Sequence, residues 1–197
     1  MTVAVSKTVG IKEVSDAIAA GITDFAENRS NLLKDKQQIF PDQNWHFIGR
    51  VQTNKVKDYV GKAKLIHSVL GERALLAINK RAVNHALIQD VLIEVNMSGE
   101  ESKDGIYPDK LDSLLRAATE CAAVRVRGLM TMAPLGDADL ARKSFAGLRE
   151  LRDSTAPKYQ DFANIDLTEL SMGMTDDFEI AIEEGATIVR IGRKFWR

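Results

Sequence analysis

Short apolar runs alternate with longer stretches of helical periodicity along this chain, and this alternation constrains its fold more than any other feature. Apolar and β-branched runs predict strands at residues 3–7, 22–25, 45–48, 65–68, 91–95, 124–130, 167–170 and 187–191. Apolar residues at helical spacing predict helices at residues 11–20, 32–39, 54–60, 72–86, 108–122, 139–154 and 177–184. Strands that alternate with helices in this way form a parallel sheet.

Eight strand–helix units in 197 residues predict a (β/α)8 barrel, or TIM barrel, as one α/β domain over residues 1–197. A doubly wound open sheet is the alternative, but it rarely needs so many parallel strands in so short a chain. Hydrophobic content of 45% and charged content of 28% are typical of a globular protein with a sizeable core. The barrel is therefore the preferred prediction.

The charge balance argues against several classes of partner. Lysine and arginine number 27 against 28 acidic residues, so no net field attracts nucleic acid or an anionic membrane. No apolar run approaches the roughly 20 residues of a membrane span. The single cysteine, Cys121, excludes a disulfide or a cysteine-cluster metal site within the chain and fits a reducing compartment. We expect a cytoplasmic protein without nucleic acid, membrane or metal partners.

Polar residues follow several of the predicted strands. In α/β barrels the loops after the strands share one rim, which carries the functional groups. The residues that we expect at a ligand site on this rim are Lys7, Asn28, His46, Ser171, Gly173, Arg190 and Gly192, with a charged loop at residues 96–103 nearby. Each also has a structural explanation: Asn28 suits a helix cap, and His46 suits a hydrogen-bonded core position.

Lys7 ends the first predicted strand, Val3 to Lys7, and is the most informative of these residues. At the end of a buried parallel strand an ammonium group is partly desolvated, which lowers its pKa and exposes a nucleophilic lone pair. Such a lysine forms a Schiff base with an aldehyde. The alternative is a lysine that simply reaches solvent at the end of the strand.

Glycines directly after the last two predicted strands indicate a site for an anion. Gly173 and Gly192 each follow an apolar strand, and glycine lets backbone N–H groups approach a ligand closely. With the hydroxyl of Ser171 they form a candidate phosphate cradle, which barrels often have beside strands seven and eight. A lysine for an aldehyde and a cradle for a phosphate together suggest one ligand, pyridoxal 5′-phosphate.

With these motifs in place, the chain resembles the pyridoxal phosphate homeostasis proteins, which look like the barrel domain of alanine racemases without its second domain. The stretches that carry the resemblance lie in order along nearly the whole chain, at residues 4–8, 27–28, 45–49, 52–55, 96–103, 127–130, 170–177 and 189–192. The resemblance implies that Lys7 carries the cofactor covalently and that Asn28 lies beside it. It also implies that Ser171 and the backbone of Gly192 and Arg193 hold the phosphate.

Arg190 would face the pyridine nitrogen of the cofactor, according to the same resemblance. A guanidinium group donates to that nitrogen and so disfavours its protonation, which weakens the ring as an electron sink. The resemblance therefore implies no catalytic residues. It implies a monomeric protein that carries, buffers or delivers pyridoxal phosphate, with PLP-dependent apoenzymes as recipients. Two alternatives remain open: a minimal amino-acid racemase that uses Lys7, and an interaction protein that works without the cofactor.

The chain departs from the family pattern in four places: its start, Val9, Ala26 and Arg193. Val9 stands where many members have a second lysine and Ala26 where glycine is usual, and both changes leave Lys7 untouched. The first strand starts at Thr2 or Val3 without the helix that usually precedes it, so we expect either that the sequence as given begins late or that the helical cover of the barrel is missing.

Arg193 stands where the family usually has threonine or serine after Gly192. An inward Arg193 would contact the phosphate, whereas an outward one would leave only backbone N–H groups there. We expect the outward orientation, because Lys194 makes this terminus basic and a long side chain fits poorly beside a glycine.

Overall fold

The computed structural model describes residues 1–100 and 103–196, in which eight strands alternate with helices. The strands are β1 Thr2–Val5, β2 Asp24–Glu27, β3 Asn44–Phe47, β4 Leu65–Val69, β5 Gln89–Glu94, β6 Val124–Met130, β7 Ile165–Ser171 and β8 Val189–Ile191. The helices are α1 Ile11–Ala19, α2 Ser30–Ile39, α3 Val56–Tyr59, α4 Glu72–Asn84, α5 Leu111–Thr119, α6 Ala138–Tyr159 and α7 Phe178–Glu183. Short 3-10 helices, Thr53–Lys55 and Pro108–Lys110, precede α3 and α5.

All the strands are parallel and form one closed sheet. Their hydrogen-bonded order is β7-β6-β5-β4-β3-β2-β1-β8, so β1 lies between β2 and β8. The two ends of this order also meet: a parallel bridge joins Ser171 to Ile188, and the Arg190 N–H donates to the Gly173 carbonyl at 3.0 Å. The predicted TIM-barrel fold is therefore confirmed.

Alternation along the strands divides the apolar residues into two cores. Val3 and Val5 of β1 pack with Leu92 of β5 inside the barrel, whereas Ala4 packs with the residues between sheet and helices. The inner core is small and the outer core contains the large aromatic residues, such as Trp45. Successive side chains of a strand point to opposite faces of the sheet. Every second residue of β1, counted from Val3 and Val5, therefore faces the barrel axis, and we describe such residues as continuing the parity of Val3 and Val5.

Two predicted elements shift in the structure. The second strand was expected at residues 22–25 but runs from Asp24 to Glu27, because its polar end residues have buried partners that a hydrophobicity pattern does not show. The sixth helix was expected to end at residue 154 but continues through Pro157 to Tyr159. Thr155 and Tyr159 are buried on this last part, so packing extends the helix past the proline.

Candidate functional site

Lys7 lies in the turn directly after β1, at the carboxyl-end mouth of the barrel. The strand ends at Val5, and a hydrogen bond from the Val9 N–H to the Ser6 carbonyl, 3.1 Å long, closes the turn. Continued past the end of β1, the alternation of Val3 and Val5 predicts that Lys7 lies on the axis side of the sheet. Its side chain is exposed, so the structure does not show the partial desolvation that we expected for the ammonium group.

Asn28 occupies the equivalent position after β2. It continues the parity of Asp24 and Ala26, and it is exposed at the mouth. The end of β3 approaches it so closely that a Cβ atom at Gly49 would collide with the Asn28 carbonyl group. Gly49 is therefore required for the close approach of these two strand ends, and Asn28 and Lys7 end neighbouring strands on the same rim.

Arg190 of β8 is buried inside the barrel, with its side chain held at two points. Its Nη1 donates to the Ser171 hydroxyl at 2.7 Å, and its Nη2 donates to the Thr131 carbonyl at 3.0 Å. The strand register pairs Arg190 with Val3 of β1, so it lies below Lys7 on the adjacent strand. Burial lowers the pKa of Arg190 to about 10, partly opposed by Glu94 and Asp177, and the guanidinium stays charged at neutral pH.

A chain of hydrogen bonds continues from Arg190 through the barrel interior. Ser171 Oγ lies 2.8 Å from His67 Nδ1, and His67 Nε2 lies 2.9 Å from His46 Nδ1. His46 Nε2 then lies 3.2 Å from Asp24 Oδ1. The two histidines and Ser171 are fully buried. We call Arg190, Ser171, His67, His46 and Asp24 the axial chain.

The donors and acceptors of the axial chain follow one direction. Arg190 can only donate, so Ser171 accepts from it, and in the tautomer in which His67 Nδ1 is an acceptor the Ser171 hydroxyl hydrogen goes to His67. His67 Nε2–H then donates to His46, whose Nε2–H donates to the Asp24 carboxylate. This assignment needs neutral histidines, and burial, with His46 and Arg190 nearby, lowers the pKa of His67 well below its usual value.

One predicted site residue, His46, therefore differs from expectation. His46 lies inside the barrel rather than on the rim, because it stands one layer deeper than Ile48 on the same face. Both of its ring nitrogens have protein partners, as in the alternative of a hydrogen-bonded core histidine. Burial by itself raises the pKa of Asp24, but hydrogen bonds from His46, Thr23 and Asn44 outweigh this and lower it below its usual range.

Glu94 is a buried carboxyl group near the mouth that the sequence analysis treated only as part of a strand. It continues the parity of Leu92, so it faces the axis, and it is 3% exposed. Its Oε1 has no hydrogen-bond partner among the described residues. Burial and then Asp104 raise the pKa of Glu94 to about 7, against the opposing effects of Arg190 and Arg50.

The candidate phosphate cradle lies where β7 and β8 end. Gly173 has a φ of +88°, and a Cβ atom there would lie 2.5 Å from that of Ala181, so only glycine fits. The Gly192 N–H donates to the Thr175 hydroxyl oxygen at 3.2 Å. Thr175 retains a hydroxyl hydrogen for a ligand, and it is a site residue that the sequence analysis did not select.

Arg193 turns away from this cradle. Its guanidinium pairs with Asp176 at 2.5 Å, and its side chain is 71% exposed. The structure thus has the outward orientation that we expected. On the opposite side of the barrel the Asn96 amide organises the loop after β5: it donates to the carbonyls of Glu100 and Lys103 and accepts from Ser98 and the Gly99 N–H.

Residues 1–100 and 103–196 lack two other structural features. No helix there is long and apolar enough to cross a membrane. No group of three or more histidine, cysteine, aspartate and glutamate side chains there is arranged to hold a metal ion.

The fold matches one class of proteins. The family described as "Alanine racemase, N-terminal domain" matches residues 1–194. Alanine racemase of Clostridium difficile superimposes with a TM-score of 0.79 at 11% identity over 98% of this chain and 54% of that protein. At such low identity the likeness shows the fold alone.

Closer relatives define the family more narrowly. The pyridoxal phosphate homeostasis protein of Aquifex aeolicus is 46% identical over 190 residues, 95% of this chain and 82% of that protein. That of Pseudomonas aeruginosa is 38% identical over 192 residues, 96% of this chain and 80% of that protein. PipY of Synechococcus elongatus, solved with PLP bound, has a TM-score of 0.89 at 32% identity and covers 100% of this chain and 92% of its own. The chain belongs to the pyridoxal phosphate homeostasis protein family.

Proposed function

We propose that this protein binds pyridoxal 5′-phosphate through a Schiff base with Lys7 and carries, buffers or delivers it without turning over an amino acid. The position of Lys7 carries the proposal: an exposed amine on the axis side of the mouth, next to the strand that bears Arg190. The names of the relatives and the PLP bound to PipY support it.

The donors at the mouth suit this cofactor. When bound, pyridoxal phosphate supplies an aldehyde that condenses with primary amines and a ring that withdraws electrons. Lys7 presents the primary amine. For the phosphate, the Gly192 N–H and the Thr175 hydroxyl lie together, and a Cβ atom at Gly192 would stand 3.8 Å from that of Val5, beside β1. Asn28 is exposed at the same mouth.

Ser171 supports the site from below in this proposal. The resemblance implied a direct contact of its hydroxyl with the phosphate, but Ser171 is fully buried and its oxygen already lies 2.7 Å from Arg190 Nη1 and 2.8 Å from His67 Nδ1. To donate to a phosphate it would have to leave a buried ring nitrogen without a partner. We therefore assign the hydroxyl contact to Thr175 and give Ser171 the task of holding Arg190.

Arg190 directs the cofactor toward storage rather than catalysis. If it faced the pyridine nitrogen of a bound cofactor, its guanidinium would donate a hydrogen bond and keep that nitrogen unprotonated, so the ring would withdraw electrons weakly. Its two hydrogen bonds, to Ser171 and to Thr131, fix its orientation. A weak electron sink suits a protein that holds the cofactor and releases it unchanged.

The proposal extends to the cellular setting. Residues 1–197 would work as one monomeric domain in the cytoplasm and exchange the cofactor with PLP-dependent apoenzymes. A reducing compartment suits a chain whose single cysteine, Cys121, is a buried free thiol.

Lys7→Ala tests the proposal directly. Wild-type protein mixed with pyridoxal phosphate should show the absorbance band of a Schiff base, and borohydride should convert it to a stable adduct on the peptide that contains Lys7. We expect Lys7→Ala to lose at least about 99% of the adduct while its circular dichroism stays unchanged, because an exposed lysine contributes little to the core. Lys55→Ala, at another exposed lysine of the mouth, is the control.

Other results would favour the alternatives. An undiminished adduct in Lys7→Ala would assign the cofactor to another lysine. Racemisation of L-alanine by the loaded wild-type protein would make the chain an enzyme. Failure of the wild-type protein to bind the cofactor at all would favour an interaction protein.

A further inference from the structure

A buried ammonium group lies directly under the turn that carries Lys7. It belongs to Lys36 of α2, whose side chain is 5% exposed. Its Nζ donates to the Ser6 carbonyl at 2.8 Å, to the Val9 carbonyl at 3.0 Å and to Glu27 Oε1 at 2.6 Å. An ammonium group has three hydrogens, so each has an acceptor, and two of these acceptors are backbone atoms on either side of Lys7.

Glu27 completes this support from the end of β2. It is fully buried, and its Oε1 also accepts from the Ser6 hydroxyl at 2.7 Å. The Ser6 N–H bonds to the Ala26 carbonyl at 2.9 Å. Ser6 is thus held by its N–H, its carbonyl and its hydroxyl, although the next residue, Lys7, has an exposed side chain. We call Lys36 and Glu27 the support pair.

Fold stability alone does not account for the support pair. Taking two charges out of water is so costly that apolar residues of similar volume often serve as well or better. Glu27 Oε2 is, moreover, buried without a hydrogen-bond partner among the described residues. An apolar pair could fill the same space between β2 and α2, but it could not bind two carbonyls of the turn.

We propose that Lys36 and Glu27 are positioning residues, which hold the backbone around Lys7 so that its amine meets the aldehyde of a phosphorylated pyridoxal. The inference rests on the proposed function, in which Lys7 is the residue that bonds to the cofactor. In that step the Lys7 nitrogen adds to the aldehyde carbon, a C=N bond replaces C=O, and one water molecule leaves. Since a small misplacement of a reacting atom greatly reduces reactivity, fixing the backbone favours this bond.

Two ligands separate positioning from general damage to the site. Pyridoxal 5′-phosphate can bond to Lys7, whereas pyridoxine 5′-phosphate has the same ring and phosphate but an alcohol in place of the aldehyde. The double variant Lys36→Met with Glu27→Gln removes both charges and leaves no unpaired buried charge. We expect its Schiff base formation, measured by absorbance and borohydride trapping, to fall by about tenfold or more. Its affinity for pyridoxine 5′-phosphate should change by less than about twofold, because the phosphate and ring contacts lie elsewhere.

The control is Lys34→Met, which removes a lysine from the same helix and should change neither measurement. An equal loss for both ligands in the double variant, or no loss for either, would overturn the positioning role. If the double variant does not fold, Ser6→Ala replaces it, since this change keeps the support pair and removes one hydroxyl. Schiff base formation should then fall by about threefold with unchanged binding of the alcohol, and an unchanged Schiff base would overturn the inference.

The proposed function is tested separately in the same assay. If wild-type protein and Lys7→Ala trap equal amounts of pyridoxal phosphate, the proposed Schiff base with Lys7 is wrong, whatever the variants of the support pair show. If only Lys7→Ala loses the adduct and the variants of the support pair retain it, the proposed function stands and the positioning inference fails.

Discussion

The two sides of the barrel mouth hold their key residues in opposite ways. On the β1 side Lys7 is exposed, and its support lies outside the sheet, where the support pair binds the backbone. On the β8 side Arg190 is buried, and its support lies inside the barrel, where the axial chain binds the side chain itself.

The difference follows from what each residue has to do in the proposed function. A lysine that bonds to an incoming aldehyde needs an accessible amine, so only its backbone can be held. An arginine that sets the protonation of a ring nitrogen needs a fixed guanidinium group, so its side chain is held instead. On the β1 side the arrangement depends on the alternation of side chains along a strand. Ser6 faces the helices and the support pair, whereas the alternation directs the next residue, Lys7, toward the axis.

The largest effect on stability is expected when the axial chain is broken in its middle. His67→Phe leaves the hydroxyl hydrogen of Ser171 and the Nδ1 of His46 without partners in the barrel interior, while the Ser171 oxygen still accepts from Arg190. Each such group costs about 1 to 3 kcal/mol, so the free energy of unfolding should fall by about 2 to 6 kcal/mol in a urea titration. Reactivity of Lys7 toward an amine reagent should not change, because its support is separate.

His85→Phe is the matched control, since His85 is an exposed histidine at the end of α4. Its effect should stay within about 0.5 kcal/mol. An equally small effect of His67→Phe would mean that the axial chain does not stabilise the β8 side of the mouth. The proposed contrast between the supports of Lys7 and Arg190 would then be wrong.

Glu94→Gln tests whether the buried carboxyl group of Glu94, near Arg190, makes the free energy of unfolding depend on pH. The pKa of Glu94 is raised from 4.5 to about 7, so between these values the folded protein holds a proton that the unfolded chain has lost. The contribution of Glu94 to stability therefore falls as pH rises through this window. Glutamine cannot ionise, so the variant should match the wild type at low pH and exceed it by about 2 to 3 kcal/mol at high pH.

Urea titrations near pH 4 and pH 8 measure this difference. The lowered pKa of His67 has the opposite effect, a loss of stability as pH falls below 6.5, but it is common to both proteins and cancels in the comparison. A difference that is equal at both pH values would show that Glu94 is not linked to a proton.

The smallest expected effects separate Ser171 from Thr175. Thr175→Val should weaken pyridoxine 5′-phosphate binding by roughly tenfold, because a hydrogen bond to a charged group is worth about 1.5 to 3 kcal/mol. Ser171→Ala should instead lower the free energy of unfolding by about 1 to 3 kcal/mol and change the affinity by less than threefold. Equilibrium binding and urea titrations of both variants distinguish the roles, and a reversed pattern would place Ser171 on the phosphate.

Much of the barrel could be predicted from the sequence, because parallel strands buried on both faces and amphipathic helices have local signatures. The strand over residues 124–130 was predicted with its observed bounds, and Pro108 begins the 3-10 helix before α5 as a proline should. The second strand was misplaced because Asp24 and Glu27 are polar, and only their partners, His46 and Lys36, explain their burial.

The amino-acid sequence by itself determined the eight-unit barrel, the family and the position of Lys7 just after the first strand, on which the proposed function rests. Only the tertiary structure decided that Lys7 is exposed, that His67 and Glu94 belong near the site and that Lys36 supports the turn. The reason is that periodicity is read between near neighbours, whereas His67 and Ser171 are 104 residues apart. Closing the sheet brings such residues together, and burial then makes their hydrogen bonds and charges matter.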